Sequence, residues 1–285
     1  MKGVALVAGA SSGLGRAVAE QLAREGYVTY AGARSFQAGM QKAQKAPPAG
    51  CIPLGLDVTD DASVAQAVGE VLAAQGRLDA LVNCAAFLTL GACEETSHEE
   101  LAAVVSTNLL GMARMTRAVL PAMRGQKSGR IVQFSSLNGR FAIPFQGAYA
   151  ASKHAIEGWS EALAMEVRPF GIQVTLMEPG DCRSGADTYR THAKAAQADT
   201  SPYRASYEAA TARIHHDEST GMAPEKLGRA VAKALRKRRA PARVVVARID
   251  QRFALWLHKL LPGRWFYGII KGYYHSPAKS ARRQP

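Results

Sequence analysis

Val4-Ala5-Leu6-Val7-Ala8 runs directly into Gly9-Ala10-Ser11-Ser12-Gly13-Leu14-Gly15, and a helical pattern over residues 14–25 begins inside the glycine cluster. Five apolar residues in succession, with no alternation, fit a strand buried on both faces. The glycines that follow let the chain turn tightly out of that strand and bring its backbone close to a ligand. The helix starting there offers free N–H groups and a partial positive charge, which suits an anion. A glycine cluster alone says little. Between the first strand and the first helix of an alternating chain it marks the phosphate-holding turn of dinucleotide folds.

The same rhythm continues outward from the turn. Strand-like runs at 27–33, 51–56, 80–83, 130–134, 172–177 and 243–247 alternate with helical patterns at 62–75, 99–123, 149–167 and 224–236. This predicts an α/β fold: a single-domain, Rossmann-type, doubly wound parallel sheet of about seven strands with helices on both faces. Residues 1–249 are expected to form that domain. Within it, 181–222 is long, polar and poor in strand signal, as a variable substrate segment would be. Residues 250–285 are expected to be an amphipathic, basic C-terminal helical extension ending in a disordered tail.

Composition agrees with a globular chain: 285 residues, 47% hydrophobic and 21% charged, enough for a sizeable core. The first strand begins so early that no leader is expected before it, and no apolar run approaches the ~18 residues that span a bilayer. Cys51, Cys84, Cys93 and Cys182 lack CxxC spacing and a His/Cys cluster. No metal site or disulfide framework is therefore expected, and reduced thiols in a cytoplasm fit best. The net charge of +13 is uneven: from Pro224 onward sixteen Lys/Arg face only Glu225 and Asp250. A basic end on a neutral body suggests an anionic surface as partner, or else a solvated basic face. Nucleic acid is not expected, because no recognition motif accompanies the charge.

The second strand-like run ends Ala31-Gly32-Ala33-Arg34. An acid in this place would hold the ribose hydroxyls of NAD. Here Ala33 and Arg34 stand instead, and Arg34 suits the 2′-phosphate of NADP(H), with Ser12 able to add a hydroxyl; otherwise Arg34 is a surface cation. Asp57-Val58, at the end of the third run, is placed for the adenine edge, though Asp57 also reads as the cap of the next helix. Tyr149-Ala150-Ala151-Ser152-Lys153 puts a phenol and an ammonium one helical turn apart. A free phenol ionises near pH ~10, and bringing it to neutrality takes about 4 kcal/mol, to which an adjacent Lys⁺ contributes.

Around this pair stand Asn108 in Ser106-Thr107-Asn108-Leu109-Leu110-Gly111, Ser136 thirteen residues before Tyr149, Val82-Asn83-Cys84-Ala85-Ala86, and Glu178-Pro179-Gly180. Together with the glycine turn, the set resembles the short-chain dehydrogenase/reductase family from residue 4 to about 247. The resemblance implies an oxidoreductase that moves a hydride between NADP(H) and an alcohol/carbonyl pair. It implies Tyr149 as general acid/base and Lys153 as the residue that binds the nicotinamide ribose and lowers the phenol pKa. Ser136 would hold the substrate oxygen, and Asn108 would hold a proton-relaying water. Gly9, Ser11, Ser12, Gly13, Leu14 and Gly15 would line the pyrophosphate, with Arg34, Asp57, Val58, Asn83 and Ala85 along the adenosine. Pro179, Gly180 and Ser184 would meet the nicotinamide. Ser136, Asn138, Phe145, Gln146 and Tyr149 would meet the substrate. Ala8 departs from the usual Thr and Cys84-Ala85-Ala86 from the usual Asn-Ala-Gly, which touches cofactor affinity rather than chemistry.

Within the family, Ile143-Pro144-Phe145-Gln146 and the long C-terminal extension resemble the branch of 17β-hydroxysteroid and retinol dehydrogenases, implying apolar or amphipathic substrates. Phe141, Ile143, Leu88 and Leu90 would line such a cleft. The resemblance also implies a homodimer through the helices at 99–123 and 149–167. In 251–274, Phe253, Trp256, Leu257, Leu260 and Leu261 form one apolar stripe and Trp265, Phe266, Ile269, Ile270 and Tyr273 a second, flanked by Arg252, Lys259, Arg264 and Lys271. Four settings suit such stripes: a peripheral membrane contact, the substrate's way in, packing on the protein's own core, or packing on a second subunit. Asp181 and Arg183 are expected to pair with each other, and His154 to point off the catalytic face. The alternative function is a non-catalytic protein that senses NADP on the same fold, which the complete Asn/Ser/Tyr/Lys set argues against.

Overall fold

The computed structural model describes residues 2–37 and 46–275. Strand β1 (Val4–Ala8) is buried along its whole length because helices cover both faces of its sheet. Val4, Leu6 and Ala8 point into one core and Ala5 and Val7 into the other, the period-two alternation of a strand with no solvent face. The chain continues through α1 (Gly13–Arg24), β2 (Val28–Ala33), β3 (Ile52–Gly55), α2 (Asp61–Gln75), β4 (Ala80–Asn83) and a short β5 (Thr89–Leu90). Then come α3 (His98–Val105), a π-helical segment (Ser106–Gly111), α4 (Met112–Gly125), β6 (Gly129–Phe134), α5 (Gly147–Val167) and β7 (Ile172–Pro179). The short β8 (Thr191–His192), α6 (Arg204–Ser219), α7 (Glu225–Arg236), β9 (Arg243–Val246), α8 (Ile249–Leu260) and α9 (Gly263–His275) complete it.

Seven strands form one sheet in the order β3-β2-β1-β4-β6-β7-β9, and every neighbouring pair is parallel. The order runs one way from β1 to β3 and the other way from β4 to β9. The reversal leaves a crevice beyond the C-terminal ends of β1 and β4, where α/β sheets bind ligands. Residues of α1 and α7 pack with Ala5, Val7, Val82 and Val132 on one face. Residues of α2, α4 and α5 pack with Leu6, Leu81, Ile131 and Val174 on the other. The fold expected from the alternating sequence is the one observed.

Two local expectations change. The helix read as one piece over 99–123 is divided by the π segment, which carries Asn108. Asp57 does not cap α2. That cap is Asp60, whose carboxylate accepts from Ala62 N at 2.9 Å, while Asp57 closes the turn before it by accepting from Thr59 N and Oγ1 at 2.8 and 2.7 Å.

Of the four settings weighed for 251–274, packing on the protein's own core holds for one side of the helices. Phe266 is 1% exposed and packs with Leu137 and Phe141, joined by the partly buried Leu257, Leu261 and Ile270. The other side stays open to solvent.

Candidate active site

Gly9 follows β1 with φ +82°, and a Cβ there would stand 2.6 Å from Ala85 N. At Gly15 a Cβ would stand 2.2 Å from Gly9 O. Both positions therefore require glycine, and the turn lies tight against the chain leaving β4. Gly9 N and Ala10 N donate to Gly32 O at 2.9 and 3.0 Å, tying the turn to β2. Ser12 is the N-cap of α1 in extended backbone. Its hydroxyl makes no cap hydrogen bond, and no acid occupies the first turn. The start of α1 thus keeps the donors and positive end that a diphosphate requires. Ser184 faces this turn: its carbonyl would stand 2.7 Å from a Cβ on Gly13.

At the end of β2, Arg34 is exposed, and its side chain has no hydrogen bond or ion pair among the described residues. Beside it the Ser35 hydroxyl is buried with no hydrogen-bond partner among the described residues. The adenosine ribose of a dinucleotide would lie beside this guanidinium and hydroxyl. Val58 spends its side chain in the core. Asn83 is buried too, donating to Gln133 Oε1 at 2.8 Å, so it braces β4 against β6.

Tyr149 and Lys153 sit one turn apart on α5, with Ser136 just past the end of β6. Lys153 is 2% exposed; its ammonium donates to Phe134 O at 2.7 Å and lies 5.4 Å from the centre of the Tyr149 ring. Burial brings Lys153 down to about 8. Burial also pushes the Tyr149 phenol up, and a hydrogen bond with Ser136 pulls it back in part. The phenol is raised here, not lowered as expected beside Lys153: desolvation dominates, and the charges of Tyr189 and Glu218 add to it.

Asn108 braces the cluster. Its Oδ1 accepts from Phe87 N at 2.6 Å, and its Nδ2 donates to Phe87 O and Ser152 Oγ, both at 2.9 Å. Ser152 Oγ in turn donates to Tyr149 O at 2.7 Å. Both amide hydrogens are thereby taken, so a relay water would have to meet an oxygen of Asn108. The i→i+5 turn sets this side chain toward Phe87, a common use of π segments at functional sites.

Ser136, Asn138, Gln146 and Tyr149 line a cavity of about 340 Å³, with Leu14, Pro179, Gly180 and Ser184 around them. Leu88, Phe141 and Ile143 supply apolar wall, as expected. Phe145 and Leu90 do not line it. Phe145 packs edge-on against Tyr207 at 5.6 Å, and Leu90 is fully buried. Cys182 borders the cavity, Cys93 does not, and the His154 ring turns back to Ala150 O at 2.8 Å. Asp181 accepts from Gln251 Nε2 at 2.5 Å rather than pairing with Arg183. Burial, reinforced by nearby Asp217 and Glu218, pushes its carboxyl up to about 7.

The sequence marks 181–222 as a substrate segment and 251–274 as one way in for the substrate, without naming which of their residues form this wall. Ile214, Asp217 and Glu218 of α6 line the cavity, as do Gln251 and Ala254 of α8 and Ile269, Ile270, Tyr273 and Tyr274 of α9. The aromatic stripes signalled a buried face in this region, but no local pattern said what it covered. Gly180 shows the attachment: a Cβ there would stand 2.2 Å from Gln251 Oε1, so α8 starts directly on the strand end that carries the site.

Residues 3–195 match the family described as short chain dehydrogenase, and the chain belongs to that family. It is 37% identical over 248 residues to a 3-ketodihydrosphingosine reductase of Bacteroides thetaiotaomicron, covering 87% of this chain and 89% of that one. It is 38% identical over 185 residues to human 17-beta-hydroxysteroid dehydrogenase type 1, covering 62% and 56%. The expected likeness to the hydroxysteroid branch is thus present. A short chain dehydrogenase/reductase of Burkholderia phymatum, solved in complex with NAD, superposes with a TM-score of 0.71 at 28% identity, covering 85% of this chain and 88% of that one.

Proposed function

We propose that this oxidoreductase uses NADP(H) to interconvert a ketone and an alcohol on an apolar or amphipathic molecule. One observation carries the reading: the Ser136 hydroxyl and the Tyr149 phenol share an apolar-walled cavity with Gly180 and Ser184, beside the glycine turn. The turn residues Gly9 to Gly15, with Ser11 and Ser12, would hold the diphosphate, and Arg34 and Ser35 the 2′-phosphate. When bound, NADPH would supply the hydride taken up by the carbonyl carbon. Ser136 donates a hydrogen bond to the carbonyl oxygen and orients it toward Tyr149. Tyr149 then gives its proton to the forming alkoxide. A phenol held protonated by burial suits that reductive direction. Lys153, fixed by Phe134 O, presents charge beneath the ring and steadies the phenolate left behind.

The likeness to a 3-ketodihydrosphingosine reductase supports a substrate with a long alkyl chain and an amino group near its ketone. The apolar wall suits the chain, and Asp181 and Asp217 along the same cavity suit an ammonium, Glu218 being held by Arg190. The test is NADPH oxidation across keto sphingoid bases, steroids, retinoids and small sugars. Turnover of small polar carbonyls alone sinks this reading. We also propose a homodimer. Leu101, Leu110 and Met165, all exposed, lie along the helices expected to pair, with Met165 71% exposed.

Arg34→Ala is expected to weaken NADPH binding roughly ten- to a hundredfold, the worth of a hydrogen bond to a charged group, and to leave NADH nearly unchanged. Titration of both cofactors by fluorescence checks this. If the unaltered protein binds both equally, the preference assigned to Arg34 is wrong.

A pH profile follows from Lys153. An amine is charged below its pKa, so kcat/KM for ketone reduction should hold steady below about 8 and decline as pH rises through that value. A profile flat to pH ~10, where an ordinary lysine titrates, would mean that burial does not lower Lys153.

A further inference from the structure

Helices α8 and α9 are apolar on two sides. Their inner side holds Phe266 and lines the cavity. On the outer side Phe253, Trp256 and Leu260 of α8 are 55%, 54% and 58% exposed, and Trp265 and Ile269 of α9 are 59% and 52% exposed. Spacings of three and four place each set on one helix face. Arg252, Lys259, Arg264 and Lys271 are exposed on the same helices and have no ion pair among the described residues. The acid there, Asp250, is taken by Arg248.

We propose that this outer face rests on an anionic lipid surface, and that the substrate cavity opens onto it between Ile269 and Tyr273. Exposed Trp and Phe with unpaired Arg and Lys around them are what the boundary of an anionic bilayer accommodates: rings among the acyl chains, cations at the phosphates. A second copy of this chain is the poorer occupant, because a two-fold contact would set these cations against their own images with no acids to meet them. The contact is a surface one, since among the described residues no helix is long and apolar enough to cross a membrane. Ile269 and Tyr273 join the two functions. Each lines the cavity and each is exposed, at 52% and 39%. Tyr273 is positioned by its hydroxyl on Asp217, at 2.9 and 3.0 Å, and by Arg213, 4.2 Å from its ring centre. A long-chain ketone dissolved in the bilayer then reaches Tyr149 without crossing water. The docking itself stands on the surface alone; the route rests on the ketone reading above.

The full chain is spun with phosphatidylcholine vesicles, with and without phosphatidylserine. We expect sedimentation with the serine-lipid vesicles at low salt, release at high salt, and little binding to phosphatidylcholine alone. Phe253→Ser with Trp256→Ser, neither residue lining the cavity, should weaken sedimentation about tenfold or more. The same variant should raise KM for a vesicle-dissolved ketone and leave reduction of a water-soluble ketone unchanged. A chain that stays in the supernatant with both vesicle types at low salt overturns the proposal. So does a dimer that this double variant converts to monomer, since a second copy then covers the face. Vesicle binding with no ketone reduced at all upholds the docking and overturns the reaction and the route.

Discussion

Tyr149→Phe should cut turnover roughly 10²–10⁴-fold, the usual worth of a positioned general acid, while NADPH still binds. The substitution keeps the ring and its packing and removes only the transferable proton. The prediction is specific because four tyrosines line the cavity: Tyr149, Tyr189, Tyr273 and Tyr274. Tyr273 gives its hydroxyl to Asp217 and so has no proton aimed at a substrate. Tyr149 alone of the four pairs with Ser136 and has the buried Lys153 one turn along its helix. Stopped-flow turnover beside a cofactor-binding titration separates chemistry from affinity. Near-normal turnover in the variant would move the acid to another of the four. Lys153→Met makes the companion case: it removes the charge beneath the ring and leaves Phe134 O without its donor, so turnover and cofactor affinity should fall together.

What could be read from sequence follows from how local each cause is. β1, the glycine turn and the start of α1 were legible because one stretch of chain contains all the physics: an unbroken apolar run, residues free to take positive φ, and a helix start. The Tyr149–Lys153 pair was legible for the same reason, since helical spacing alone makes the two neighbours. The π segment at Asn108 was not: the groups its side chain meets, Phe87 and Ser152, lie far from it in sequence. Asp57 was ambiguous for a related reason. Asp57 and Asp60 both precede a helix, and only the backbone path shows which carboxylate meets Ala62 N. The stripes on α8 and α9 were visible as periodicity. Periodicity marks a helix side as apolar without naming what covers it, and here one side meets Phe141 while the other meets solvent.

Phe266→Ala is the second large effect, and it concerns stability. Truncating a buried phenylalanine costs about 3–5 kcal/mol, from lost transfer energy and the cavity left behind. Phe266 is 1% exposed, with its ring edge-on to Phe141 at 5.2 Å and near His258 at 4.8 Å. Trp265, its neighbour in sequence, is 59% exposed, and Trp265→Ala should fall within about 0.5 kcal/mol of the unaltered protein. Urea unfolding of the two variants, read at equal slope, measures the difference. The loss should also reach the site. Phe141 and Leu137 lie in the segment joining Ser136 to Tyr149, and Phe141 lines the cavity, so space opened at Phe266 loosens the wall that positions the ketone. Phe266→Ala is therefore expected to raise KM at temperatures where the chain remains folded. Equal stability of the two variants would mean that α9 is held elsewhere, and the cavity wall assigned to it would lose its anchor.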